Sequence, residues 1–201
     1  MNMKKMFLVI TVLLATVAGQ AQTAREVLDK CAASVSVKSG VTADFTMESA
    51  QYGNTSGSIS VKGRMFYATT PVATMWFDGK TLWTYRSKNE EVNVSNPTDA
   101  QLQALNPYNF INMYKNGYSY TMTKTDKTFN VHLTANDANR RVKEMFITID
   151  AKSYTPIEVK VLQGSKWSTF FINNFKKANL KDDAFRFNAR EFPSAEVIDL
   201  R

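Results

Sequence analysis

The chain has 201 residues, 44% of them hydrophobic and 21% charged, with a formal net charge of +7. That length is enough for one domain with a sizeable core. A single cysteine excludes an internal disulfide, and a basic excess spread along the chain, not gathered into a stripe, argues against nucleic-acid binding.

Residues 1–21 read as an export signal. Lys4 and Lys5 supply the positive start, residues 6–17 an apolar run, and Gly19-Gln20-Ala21 the small residues of a cleavage site. The mature chain is therefore expected to be residues 22–201, a single domain. The apolar run is shorter than the ~20 residues of a spanning helix, and no later segment approaches that length. With Cys31 well inside the mature chain and no cysteine at the cleavage point, a soluble exported protein without a lipid anchor is expected.

An amphipathic helix is predicted over 23–37. Val27, Leu28, Cys31 and Ala32 fall on one face, Arg25, Glu26, Asp29 and Lys30 on the other, and Gly40 ends it. Alternation with period two follows. Val41, Ala43, Phe45 and Met47 share one face of a strand, and Thr42, Asp44, Thr46 and Glu48 the opposite one. Short strands are expected at 57–61, 65–67, 72–77, 82–86 and 92–94. Between two of them Asp78-Gly79 is a tight-hairpin signal, because Gly79 accepts positive φ without steric cost.

Asn96-Pro97 breaks the pattern. Thr98 with Gln101 three residues on reads as a capping box for a short helix, and Asn106-Pro107 opens a second, crowded with Phe110, Ile111, Met113 and Tyr114. Two short apolar helices between strands suggest a cover over the sheet. Strands return at 118–123, 129–135, 142–150, 157–162 and 167–175. The tail, with Phe185, Phe187 and Phe192, is expected to be irregular and to pack on the body. About ten strands with so little helix give a mainly β fold: an unclosed, strongly curled antiparallel half-barrel with an N-terminal helix and a short helical lid.

Catalytic chemistry finds few carriers here. His132, the one histidine, lies on the polar side of its strand with Asn130 and Thr134. A general base needs an orienting partner and a pocket, and no Gly-x-Ser-x-Gly elbow accompanies it. Cys31 sits on the apolar stripe of the helix as a structural residue. Metal-ligand spacing and glycine-rich phosphate loops are missing, so neither an enzyme nor a cofactor is expected.

The aromatic and methionine residues remain. A single antiparallel sheet has two faces, and so little helix covers only one well. The concave side is therefore expected to be an apolar cavity, lined by Phe45, Met47, Ile59, Val61, Met65, Phe66, Met75, Trp76, Phe77, Leu82, Trp83 and Tyr85. Leu102, Leu105, Phe110, Ile111, Met113 and Tyr114 would form its lid.

At these residues the chain resembles the LolA-like outer-membrane lipoprotein carriers. The matching stretches are Gly57-Ser58-Ile59-Ser60-Val61-Lys62, Asp78-Gly79-Lys80-Thr81-Leu82-Trp83-Thr84-Tyr85, Glu91-Val92, Phe170-Phe171-Ile172-Asn173-Asn174 and Asp183-Ala184-Phe185-Arg186-Phe187. The insert after Asn96-Pro97 falls where that family carries its lid. The resemblance implies a periplasmic monomer that shields acyl chains of lipoproteins or lipid between an inner-membrane exporter and an outer-membrane acceptor. Related lid-covered half-barrels serve as stress-sensor or interaction modules and as glycolipid carriers. The best-studied members carry Arg-Pro after the Val-Lys strand, and that arginine pairs with the lid. Here Gly63-Arg64-Met65-Phe66 follows, which makes Arg64 the lid-pairing candidate.

Overall fold

The computed structural model describes residues 22–103 and 111–201, without the side chains of residues 100 and 103. Helix α1 (Ala24–Val35) starts at a capping box: Thr23 Oγ1 accepts from the Glu26 N–H, and the Glu26 carboxylate accepts from the Thr23 N–H. It ends two residues before the predicted stop, and the chain turns at Gly40, where φ is +101°.

Among the described residues twelve strands follow: β1 Val41–Ser49, β2 Thr55–Lys62, β3 Met65–Thr69, β4 Thr74–Phe77, β5 Leu82–Arg86, β6 Glu91–Ser95, β7 Tyr118–Lys124, β8 Thr128–Ala135, β9 Val142–Asp150, β10 Pro156–Gln163, β11 Lys166–Lys177 and β12 Glu196–Asp199. They form one curled, unclosed sheet in the order β12-β6-β5-β4-β3-β2-β1-β11-β10-β9-β8-β7. All pairs are antiparallel except β12 with β6. The tail is thus more regular than expected, because its last strand adds in parallel to β6. Between β6 and β7 lie α2 (Asp99–Gln103) and a 3-10 turn, Met113–Lys115.

The register gives the faces. One row runs Leu82, Phe77, Phe66, Val61, Val41 across β5 to β1. A second runs Met47, Phe170, Val159, Ile147, Val131, Met122 across β1 to β7. Both rows join the side chains of α1 in one core, so the helix sits in the hollow of the curl. Two local devices bend the sheet. Asn174, at φ +52°, lies in a bulge of β11 opposite Ala43, and its Nδ2 donates to the Asp44 carboxylate at 2.6 Å. Gly57 lets β2 and β3 approach: a Cβ there would lie 1.9 Å from the Thr69 carbonyl oxygen and 3.0 Å from the Phe45 ring.

The hairpin at Asp78-Gly79 is wider than the two-residue turn expected. Phe77 pairs with Leu82, leaving 78–81 as the connection. The Asp78 carboxylate accepts from the N–H groups of Lys80 (3.0 Å) and Thr81 (2.9 Å), and Gly79 takes φ +98°. The side-chain bonds of Asp78 stabilise the longer loop.

Candidate binding site beneath the helical cover

The concave face is apolar along its whole width. Ile59, Val61, Phe66, Phe77 and Leu82 are buried in the main core, and Phe45, Met47 and Met75 are half-buried against it. Met113, Tyr120 and Met122 are also only partly covered. The hollow is therefore occupied by α1 at its centre, while partly covered methionine and aromatic side chains lie around it. Methionine in that setting adapts to varied shapes.

The cover is built from α2 and the 3-10 turn. The Thr98 box forms as the sequence predicts: its N–H donates to the Gln101 side-chain oxygen at 2.8 Å, and Gln101 N–H donates to Thr98 Oγ1 at 3.4 Å. Leu102, Ile111 and Tyr114 are buried in the core, and Met113 is half-buried. Leu105 and Phe110, the other two expected lid residues, lie outside the described residues. Arg64, in the β2–β3 turn, donates from Nη2 to the Asp99 carboxylate of α2 at 2.8 Å. Both side chains are well exposed.

Tyr114 roots the cover. Its hydroxyl donates to the Asp29 carboxylate of α1, and Arg25 lies 5.3 Å from its ring centre. That hydrogen bond holds the Asp29 carboxyl below the usual carboxylate range, while burial, then the Asp29 bond, pushes the Tyr114 hydroxyl up. Where α2, the 3-10 turn and the β2–β3 turn meet, a cleft of about 410 Å³ opens. Phe66, Phe77, Leu102 and Met113 contribute apolar surface to it, and Arg64, Asp99, Asn112, Asn116 and Arg140 polar surface.

Four expected wall residues lie elsewhere. Met65, Trp76, Trp83 and Tyr85 are on the convex face, because each neighbours an inward residue along its strand and side chains alternate. Trp76 pairs with Trp83 in register and with Tyr67 on β3. The tail covers this second apolar layer: Phe187 and Phe192 each lie 5.5 Å from the Trp76 ring, and Phe192 lies 4.7 Å from Tyr85. Lys62 holds the tail by donating to the Leu180 carbonyl and to the Asp182 carboxylate, both at 2.8 Å. The signal lies in the strict alternation through Met75, Trp76 and Phe77, which puts Trp76 on the face opposite its two neighbours.

The remaining reactive groups form no catalytic arrangement among the described residues. His132 stacks on Phe146 at 4.2 Å on the convex face, and its Nε2 meets the Glu144 carboxylate at 3.2 Å. Cys31 is fully buried, which pushes its thiol up to about 12. Among the described residues no group of three His, Cys, Asp or Glu side chains is placed to hold a metal ion, and no helix is long and apolar enough to cross a membrane.

Comparison with known proteins places this geometry. The profile of the family described as outer membrane lipoprotein carrier protein LolA matches residues 14–165. A search of curated proteins finds no match. Among solved structures, an uncharacterized conserved protein from Thermus thermophilus is 14% identical with a TM-score of 0.59, over 89% of this chain and 99% of that one. A LolA superfamily protein from Nitrosomonas europaea is 12% identical with a TM-score of 0.45, over 83% and 99%. MucB in its complex with MucA from Pseudomonas aeruginosa is 14% identical with a TM-score of 0.45, over 82% of this chain and 60% of that chain.

Proposed function

The chain belongs to the LolA-like family of outer membrane lipoprotein carriers, and from that premise we propose that it is a periplasmic carrier. It shields the acyl chains of lipoproteins beneath its helical cover and delivers them to the outer membrane, as a monomer without cofactor or catalytic activity. An inner-membrane exporter and an outer-membrane acceptor are the partners this role requires. The observation that carries the reading is the apolar lining of the concave face, unbroken from Leu82 on β5 to Met122 on β7.

The physical task is to compete with a membrane and then let go. Each methylene withdrawn from water contributes ~0.8 kcal/mol, so acyl chains leave a bilayer only for another apolar site. Leu102, Ile111 and Tyr114 of the cover are themselves buried in the core of the hollow. Cargo must displace some of these contacts, and its net affinity is the difference of two hydrophobic terms. An exposed ion pair adds little net stability, so the Arg64–Asp99 tie suits a latch that must open.

Native mass spectrometry of protein purified from the periplasm tests the proposal, together with displacement of an apolar fluorophore by a triacylated peptide. We expect lipid or lipopeptide adducts and competitive displacement; the absence of both would refute the carrier role. A second reading, a LolA-like module that binds lipid or protein without shuttling, is favoured by one observation: Val27, Leu28 and Cys31 of α1 fill the centre of the hollow with no exposure. Lipoprotein bound but never passed to acceptor membranes would favour that module.

A further inference from the structure

The cleft at the rim of the cover joins an apolar floor to a charged edge. Phe66, Phe77 and Met113 contribute the floor, and Arg64 and Arg140 bring cations to the edge. Their charges are differently committed. Arg64 is paired with Asp99 at 2.8 Å, whereas Arg140 makes no ion pair among the described residues. The lining therefore carries one positive charge in excess.

Arg140 is also held in place. Its guanidinium lies 5.0 Å from the centre of the Tyr118 ring, and the Tyr118 hydroxyl donates to the Val142 carbonyl at 2.9 Å. It also packs on bare backbone: a Cβ on Gly117 would come within 2.1 Å of Nη2. A guanidinium fixed beforehand loses less freedom when it binds, and its planar fork matches phosphate oxygens in pairs.

We propose that this cleft is a head-group site, in which Arg140 binds the phosphate of an anionic lipid whose acyl chains enter the hollow below. The inference rests on the carrier reading and narrows it, since it makes an anionic phospholipid a ligand alongside acylated protein. The Arg64–Asp99 pair sits in the same cleft, so an arriving phosphate competes with Asp99 for Arg64 and loosens the cover.

The test uses the full mature chain and three soluble probes: dihexanoyl-phosphatidylglycerol, uncharged dihexanoylglycerol and inorganic phosphate. At low salt the anionic lipid should bind about tenfold tighter than the neutral one, and inorganic phosphate should bind far more weakly than either. Arg140→Gln should bring anionic-lipid affinity down to that of the neutral lipid, while Arg140→Lys, which keeps the charge but loses the fork, should retain only part of the preference. Raising the salt concentration with the unaltered protein should shrink the preference, a readout that needs no variant to fold. Equal affinity for both lipids, or a preference untouched by Arg140→Gln or by salt, overturns the head-group site and leaves the carrier reading standing. Phosphate binding as tightly as the lipid overturns it in favour of a free-anion site. If neither lipid binds, the head-group site falls, and displacement by the triacylated peptide still decides the carrier reading.

Discussion

Gly57 and Asp29 show how much single positions decide. A methyl group at Gly57 would drive into the Thr69 carbonyl and the Phe45 ring, so β2 or Phe45 must move. Gly57→Ala is expected to lower stability by ~1–3 kcal/mol, read as a lower urea midpoint at unchanged slope; an unaltered midpoint would mean the strands part freely there. The Asp29 carboxyl is held below the usual carboxylate range chiefly by the Tyr114 hydroxyl. A depressed carboxyl pKa stabilises the fold above the unfolded value near ~3.9 and stops doing so as pH falls through the folded value. Tyr114→Phe should therefore raise the Asp29 pKa in a carboxylate NMR titration, and the stability lost with that hydrogen bond should be present at neutral pH and vanish in acid. The Thr23 and Thr98 caps were legible as residue patterns, because capping is local chemistry. The Asp29–Tyr114 bond was not, since it joins residues far apart in the chain.

Elements repeat the lesson at larger scale. The tail reads from its sequence as irregular but packed on the body; Phe187 and Phe192 do pack in T-shaped contact with Trp76, and β12 adds a regular strand beside β6. Phe192→Ala should cost ~1–3 kcal/mol and shift tryptophan emission to the red; unchanged emission would show that the tail does not shield Trp76. Helix α1 shows the opposite case. Its stripe of Val27, Leu28, Cys31 and Ala32 was legible from spacing alone and is buried in full. The buried Cys31 thiol should resist a thiol reagent at pH 8 in the native protein and react once urea unfolds it. Rapid native labelling would place the cysteine at the surface.

At the scale of the molecule, the curl makes one hollow and the cover and α1 compete with any guest for it. Leu102 belongs to that cover and is buried in the core. Leu102→Ala should lower stability by ~2–4 kcal/mol and, in the same protein, increase uptake of an apolar fluorophore, because the empty state loses contacts that a guest must otherwise displace. Uptake falling along with stability would assign Leu102 to the wall that holds the guest.

What the sequence determined by itself is the class of fold: a helix, then period-two strands, then a capped apolar insert, then more strands. These are local signals, set by side-chain alternation and by the bonds a backbone makes with its near neighbours. Ile59, Phe66 and Phe77 could be assigned to an apolar layer from that alternation. Which of two layers each aromatic joined was decided by tertiary structure, since alternation says only that Trp76 and Phe77 oppose each other. The tail docks on one face and α1 on the other, and that choice turned Trp76, Trp83 and Tyr85 away from the hollow.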